Sequence, residues 1–217
     1  MPKGSEALTQ ARREEIIDAC AKLYETMGFK DVTIKEIGKV TSFTRTSIYN
    51  YFQTKEEIFL ALIGREFSRW GEALAAAQAA CPVPDRAQVA EILADTLSER
   101  VLLLKILSMN MFEIEEKSSL EQLIGFKKAF CGTVDQLERM LAQMTPPLDA
   151  DGRQAFLYSF LPFMYGIYPY TATTEKQYKA MEANGFTAPA LTPHGMILET
   201  TSKLLAVDPA QDQRRKP

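Results

Sequence analysis

The side chains best placed to do chemistry lie between Thr33 and Phe52, and they suit hydrogen bonding to another polymer better than bond breaking. In Thr44-Arg45-Thr46-Ser47-Ile48-Tyr49-Asn50-Tyr51-Phe52, Ile48 and Phe52 stand one helical turn apart and face inward together. Arg45, Thr46, Tyr49 and Asn50 share the opposite face. An arginine there can grip guanine through two hydrogen bonds, and a threonine can meet a base edge or a thymine methyl. Tyr49, Asn50 and Tyr51 end in polar groups of the kind that hold phosphates and fix register. Thr33, Thr44, Ser47 and Lys55 fall at helix starts, where backbone N–H groups and the helix dipole favour a phosphate. A short helix of this composition, following another after a break at Ser42-Phe43, has the form of a helix-turn-helix DNA reader. The bland alternative is a solvated face on a small helical bundle.

Catalytic chemistry finds little support. The single histidine, His194, sits between Pro193 and Gly195 in what reads as a loop, without a nucleophile or metal ligand at useful spacing. Glu113, Glu115 and Glu116 read as a solvated helix end. Cys20, Cys81 and Cys131 are odd in number, far apart and among apolar neighbours, which suits buried thiols better than disulfides or a zinc knuckle. No catalytic residue, metal or cofactor is expected.

The elements that must position the reader are all helical. Ile16, Ile17, Cys20, Leu23, Tyr24 and Met27 recur at helical spacing, and Gly28 stops that helix. Thr33 and Glu36 form a capping box, with Val32 and Ile37 as a hydrophobic staple, so a second helix is expected over residues 34–41. Thr44 caps a third over 45–51, and Thr54 with Glu57 opens a fourth that runs to about Ala80. Beyond it, helices are expected over 86–100, 101–114, 120–144, 151–168 and 196–205, with a partial one near 175–183. No β-alternation or internal repeat appears, and the fold class is all-α. The domains read as 10–70 for the DNA-binding part (33–52 for the helix-turn-helix proper), 71–206 for a larger helical part, and 207–217 as a disordered tail.

Composition agrees with a globular chain: 46% of residues are hydrophobic and 24% charged. No apolar run reaches a membrane span and no signal core opens the chain, so the expected location is the cytoplasm. The net charge of −3 divides unevenly, as +2 over residues 1–55 and −5 over the remainder. That sign places the attractive potential for DNA at the N-terminal end. Lys3, Arg12 and Arg13 form an N-terminal arm that reads equally as a groove contact or a disordered leader.

Taken together, the first helix, Gly28-Phe29, Val32-Thr33-Ile34, Ile48-Tyr49-Asn50 with Tyr51-Phe52, and Lys55-Glu56-Glu57-Ile58 resemble the TetR family of transcriptional regulators. The resemblance is specific over residues 10–70 and is one of architecture beyond. It implies a homodimer whose third helices enter successive major grooves of a palindromic operator. It further implies a C-terminal domain that binds a small molecule, lowers DNA affinity on doing so, and pairs with its twin. This chain departs from the family pattern at Ser42 (usually Gly), Phe43 (usually Val) and Asn50 (often His or another aromatic). Ser42 is expected to strain the turn, and Phe43 to need a larger cavity.

Soft and aromatic residues crowd the region from Leu102 to Tyr170. Met109, Phe112, Phe126, Phe130, Tyr158, Phe163 and Tyr165 are candidates to line an apolar ligand cavity, with plain core as the alternative. The helix over 151–168 is apolar on nearly every side and needs partners all round. Phe156, Phe160, Met164 and Tyr168, with Ile197 and Leu204, are the candidate dimer contacts in an intersubunit four-helix bundle, and Pro162 is expected to kink the helix. The expected function is a ligand-responsive DNA-binding regulator of repressor type, released by a small, largely apolar molecule. The alternative is a helical small-molecule-binding module without gene-regulatory activity.

Overall fold

In a computed structural model describing residues 3–187 and 189–206, the described chain is helical throughout, with no strand. The proposed tail over 207–217 and the Lys3 side chain lie outside the described residues. The helices are α1 (Lys3–Thr26), α2 (Ile34–Val40), α3 (Arg45–Ile48), α4 (Lys55–Ala80), α5 (Arg86–Ser98) and α6 (Val101–Leu107). They continue with α7 (Met111–Glu116), α8 (Leu120–Gln143), α9 (Ala150–Thr171), α10 (Glu175–Glu182) and α11 (Pro193–Leu204). No helix among these residues is long and apolar enough to cross a membrane.

Two compact units emerge, linked by the long α4. The first takes the chain up to Phe67 together with Asn110–Phe130; the second takes Ser68–Met109 and the chain from Cys131 onward. In the first, the helical-period residues of α1 (Ile16, Cys20, Tyr24) close on Val32, Ile37, Ile48 and Phe52, all buried. Tyr24 and Phe29 both meet the edge of Phe59 from α4, with ring centroids 5.2 and 4.8 Å apart. Burial pushes the Cys20 thiol up to about 12, so it stays protonated and inert. Cys81 is only half-buried and Cys131 is exposed, contrary to the expectation of three buried thiols. Cys131 falls on the outer side of α8, whereas its neighbours Phe130 and Thr133 turn inward.

α7 and the first half of α8 join this first unit, which reading along the chain does not suggest. Their junction is fastened to the start of α4 by Glu57, which accepts hydrogen bonds from the backbone N–H of Gln53 (2.6 Å) and of Ser119 (3.0 Å). Thr54 caps Glu57 N–H (3.1 Å) and donates its hydroxyl to the Lys117 carbonyl (3.3 Å). The capping residue of α4 is therefore also a tertiary tie.

In the second unit, Trp70 of α4 is buried beside Phe160 of α9 and donates its indole N–H to Thr96. α11 packs on α5 and α9. Asp85 and Gln88 form a complete capping box at the start of α5. Gly71 lets α4 approach α8 closely: a Cβ there would sit 3.0 Å from Thr133 Oγ1.

Several sequence expectations are corrected. The single helix over 101–114 is two, broken at 108–110, where Asn110 caps α7 through Glu113 N–H. α9 runs on through Pro162 and Pro169 instead of ending at 168. Its inner flank (Phe156, Phe160, Met164, Ile167) is buried while Pro162 lies on the exposed side, so packing holds the helix where a backbone bond is missing. α11 begins at Pro193, which puts His194 in a helical first turn rather than a loop. Arg12 and Arg13 belong to α1, so the arm is a helix.

Candidate nucleic-acid interface

The reader is built from α2, the turn over 41–44, and α3. Thr33 caps α2 by accepting from Glu36 N–H at 3.2 Å. The reciprocal half of that box is replaced by a Glu36–Lys39 ion pair at 2.8 Å. Gly38 allows the first turn of α3 to pass close, since a Cβ on it would lie 3.4 Å from Arg45 N. Thr44 then caps α3, accepting from Ser47 N–H at 3.3 Å, with the two hydroxyls 3.0 Å apart.

α3 is shorter than expected, ending at Ile48 rather than Tyr51. The chain carries on in a tight turn in which Asn50 N–H bonds to Ser47 O, and Tyr51 and Phe52 N–H bond to Ile48 O. That turn preserves the facing read from the sequence: Ile48 and Phe52 are fully buried, while Arg45, Thr46 and Asn50 are exposed and Tyr49 half-exposed.

The turn residues behave differently from expectation. Ser42 does not adopt a left-handed conformation; among described non-glycine residues only Ala206 has a positive φ. Instead Ser42 donates both its N–H and its hydroxyl to the Glu15 carboxylate of α1, the hydroxyl at 3.0 Å. Phe43 fills no enlarged cavity. It is half-buried at the surface, with the Arg12 guanidinium 6.0 Å from its ring centroid.

The candidate contact residues differ in how free they are. Arg45 leans on its own helix, donating to Tyr49 Oη at 3.2 Å with its guanidinium carbon 5.8 Å from that ring. Thr46 and Asn50 face solvent. Tyr51 is engaged from α1: Arg12 donates to its hydroxyl (3.1 Å) and Arg13 to its carbonyl (3.0 Å). Arg13 also stacks over Phe52 at 4.3 Å and reaches Gln122 of α8 at 2.8 Å. Lys55 donates to the Phe29 carbonyl at 2.8 Å and lies 4.1 Å from that ring, so its ammonium has a structural task beside any phosphate. Lys35 and Lys39, exposed on α2, are further cations on the reader that the motif alone does not single out. Their signal was two cations one turn apart, one of them bridged to Glu36.

The candidate ligand and dimer residues are distributed otherwise than grouped. Phe112, Phe126 and Phe130 fall in the first unit, and Met109, Tyr158, Phe163 and Tyr165 in the second. Phe126 is buried near Phe67 and Phe130, while Phe112 is 76% exposed. Of the dimer candidates, Phe156, Phe160, Met164 and Ile197 are buried in their own unit, and Tyr168 and Leu204 are half-buried. The outer flank of α9 instead carries Tyr158, at 72% exposure, with Pro162 and Tyr165. An all-round apolar helix hides which flank is inner, because periodicity cannot choose between two apolar sides. A groove of about 410 Å³ lies between α8 and α9, lined by Val134, Glu138, Gln154, Leu157, Tyr158 and Leu161 among others.

Comparison with known proteins agrees with this geometry. Residues 16–62 match the family described as bacterial regulatory proteins, tetR family, and residues 64–200 match the tetracyclin repressor-like C-terminal domain. The uncharacterized HTH-type transcriptional regulator YdgC of Bacillus subtilis is 42% identical over 57 residues, 26% of this chain and 29% of its own. The HTH-type transcriptional repressor AcnR of Corynebacterium diphtheriae is 28% identical over 75 residues, 35% and 40% of the two chains. The chain thus spans less than half the length of these curated relatives. Among solved structures, the fatty acid degradation regulator FadR from Bacillus halodurans aligns over 89% of this chain and 94% of its own, with a TM-score of 0.57 and 15% identity. At that identity the likeness speaks for the fold alone. With both parts matched by family, the helices in their expected order and the reader's polar face exposed, the chain belongs to the TetR family of helix-turn-helix transcriptional regulators, which are DNA-binding proteins rather than enzymes.

Proposed function

We propose that this regulator is a repressor that binds a palindromic operator as a homodimer and is released by a small, largely apolar molecule. The observation that carries the reading is the exposed set Arg45, Thr46 and Asn50 on a helix anchored by buried Ile48 and Phe52. Arg45 is the base reader; Thr33, Thr44, Ser47, Tyr49, Tyr51 and Lys55 are register-setting contacts to the backbone. A repressor named among the relatives, AcnR, supports the direction of control.

One reader with a weak positive balance holds DNA poorly, so two must act together about 34 Å apart. The outer flank of α9 supports pairing: Tyr158, Pro162 and Tyr165 are apolar or aromatic and exposed, while the inner flank is satisfied within its own unit. The shallow groove between α8 and α9 includes Tyr158 in its lining and so belongs to this same pairing face; the apolar effector is assigned to the second unit, whose family match is the tetracyclin repressor-like C-terminal domain. Effector binding acts by shifting the population of DNA-competent dimers, for which a coupling of ~1–3 kcal/mol is typical.

The test is a gel shift of the purified protein on DNA flanking its own gene, across a salt series and against unrelated competitor. Sequence-selective binding that weakens with salt is expected. Binding indifferent to sequence, or absent at low salt, overturns the reading in favour of a helical binding module.

A further inference from the structure

We infer that Glu91, Asp95 and His194 form a binding site for one borderline divalent transition metal, such as Zn²⁺, that clips α11 to α5. The site lies wholly in the second unit and is separate from the DNA reader. Glu91 and Asp95 stand four residues apart on α5 and so share a face. α11 lies antiparallel beside them: Arg86, at the start of α5, donates to the carbonyl of Leu205 at the far end of α11 (2.9 Å). Thr192 caps the near end of α11 through Gly195 N–H at 3.0 Å. The packing of α11 on α5 and the Arg86 bond hold the two ligand-bearing helices together before any ion arrives.

His194 Nε2 is 3.0 Å from Asp95 Oδ1 and 3.9 Å from Glu91 Oε2. One donor atom from each of the three residues lies within 4.8 Å of the others. Around a tetrahedral zinc ion with bonds of ~2.0–2.2 Å, neighbouring donors stand about 3.3–3.6 Å apart. Side-chain shifts of about 1 Å, on rotamers that face solvent, close the difference.

The hydrogen-bonding alternative leaves one group over. One N–H at Nε2 can serve Asp95 at 3.0 Å but leaves Glu91, at 3.9 Å, beyond hydrogen-bond distance. Two carboxylates on one helical turn repel each other, and a dication satisfies both while accepting the imidazole lone pair. One nitrogen and two oxygens form a set suited to Zn²⁺, Co²⁺ or Ni²⁺, whereas Mg²⁺ and Ca²⁺ prefer oxygen alone. A fourth position stays open to water.

Calorimetric titration of the full, chelator-treated chain with Zn²⁺, paired with absorption on adding Co²⁺, tests the site. One ion per chain is expected, with Mg²⁺ failing to compete. His194→Ala and Glu91→Gln are each expected to weaken binding at least tenfold, with circular dichroism confirming the fold. Glu91→Gln leaves the His194–Asp95 contact in place, so its loss of affinity reports on the ion and not on the helix junction. No binding, or binding unchanged in both variants, overturns the assignment. A thiolate-to-cobalt charge-transfer band also overturns it, by placing the ion on a cysteine such as exposed Cys131.

Discussion

Ser42 stands where the family resemblance leads one to expect glycine, yet its φ is not positive and its N–H and hydroxyl both reach Glu15. Ser42→Gly therefore relieves nothing. It is expected to cost about 0.5–1 kcal/mol through unfolded-chain entropy alone, with more for the lost hydroxyl bond, read as a lower urea midpoint. Arg45 and Lys55 should separate in the same way. Arg45→Ala is expected to relax preference at one base-pair position by ~1–3 kcal/mol, measured by gel shift on a set of single-position operator variants. Lys55→Ala is expected to weaken all sequences alike and also to lower stability by about 1 kcal/mol, because its bond to the Phe29 carbonyl is lost. Equal, sequence-independent losses from both substitutions would remove Arg45 from its role as base reader.

Between elements, Glu57 ties the start of α4 to the α7–α8 junction. Burial by itself pushes its carboxyl up, but the hydroxyl and amide of Ser119 and the amides of Gln53 and Thr54 outweigh that and hold it below its ordinary value. A carboxyl with a depressed folded-state pKa adds stability that is complete above its unfolded value of about 4.3 and is lost as pH falls through the lower folded value. Wild type is expected to exceed Glu57→Gln in unfolding free energy by ~1–3 kcal/mol at pH 7. Denaturant titrations between pH 5 and pH 3 should show that gap narrowing; a constant gap would mean that ionised Glu57 contributes no pH-linked stability. The same contact makes α7 and the front of α8 part of the reader's unit.

For the whole molecule, the two flanks of α9 differ in exposure, and the proposed dimer gives the exposed one the task of pairing. Tyr158→Glu with Tyr165→Glu places charge on the exposed flank and is expected to give folded monomers by sedimentation, with operator affinity reduced as one reader is lost. Phe160→Ala removes a fully buried ring from the other flank and is expected to cost ~3–5 kcal/mol of stability. If the double tyrosine variant stays dimeric, pairing uses another surface.

The identity of this protein was legible in its sequence because the signals that carry it are local. Capping residues such as Thr33, Thr44 and Asp85, the periodicity of α1 and α4, and the inward pair Ile48 and Phe52 all act within one or two helical turns. Tertiary structure alone decided what depends on contacts far along the chain. It assigned α7 to the reader's unit, turned Phe160 and Met164 inward and Tyr158 outward, and occupied Lys55 with Phe29. It also brought His194 to Asp95 across 99 residues. Spacing along a chain reports which residues share a helix face, whereas only the packing of helices reports what that face meets.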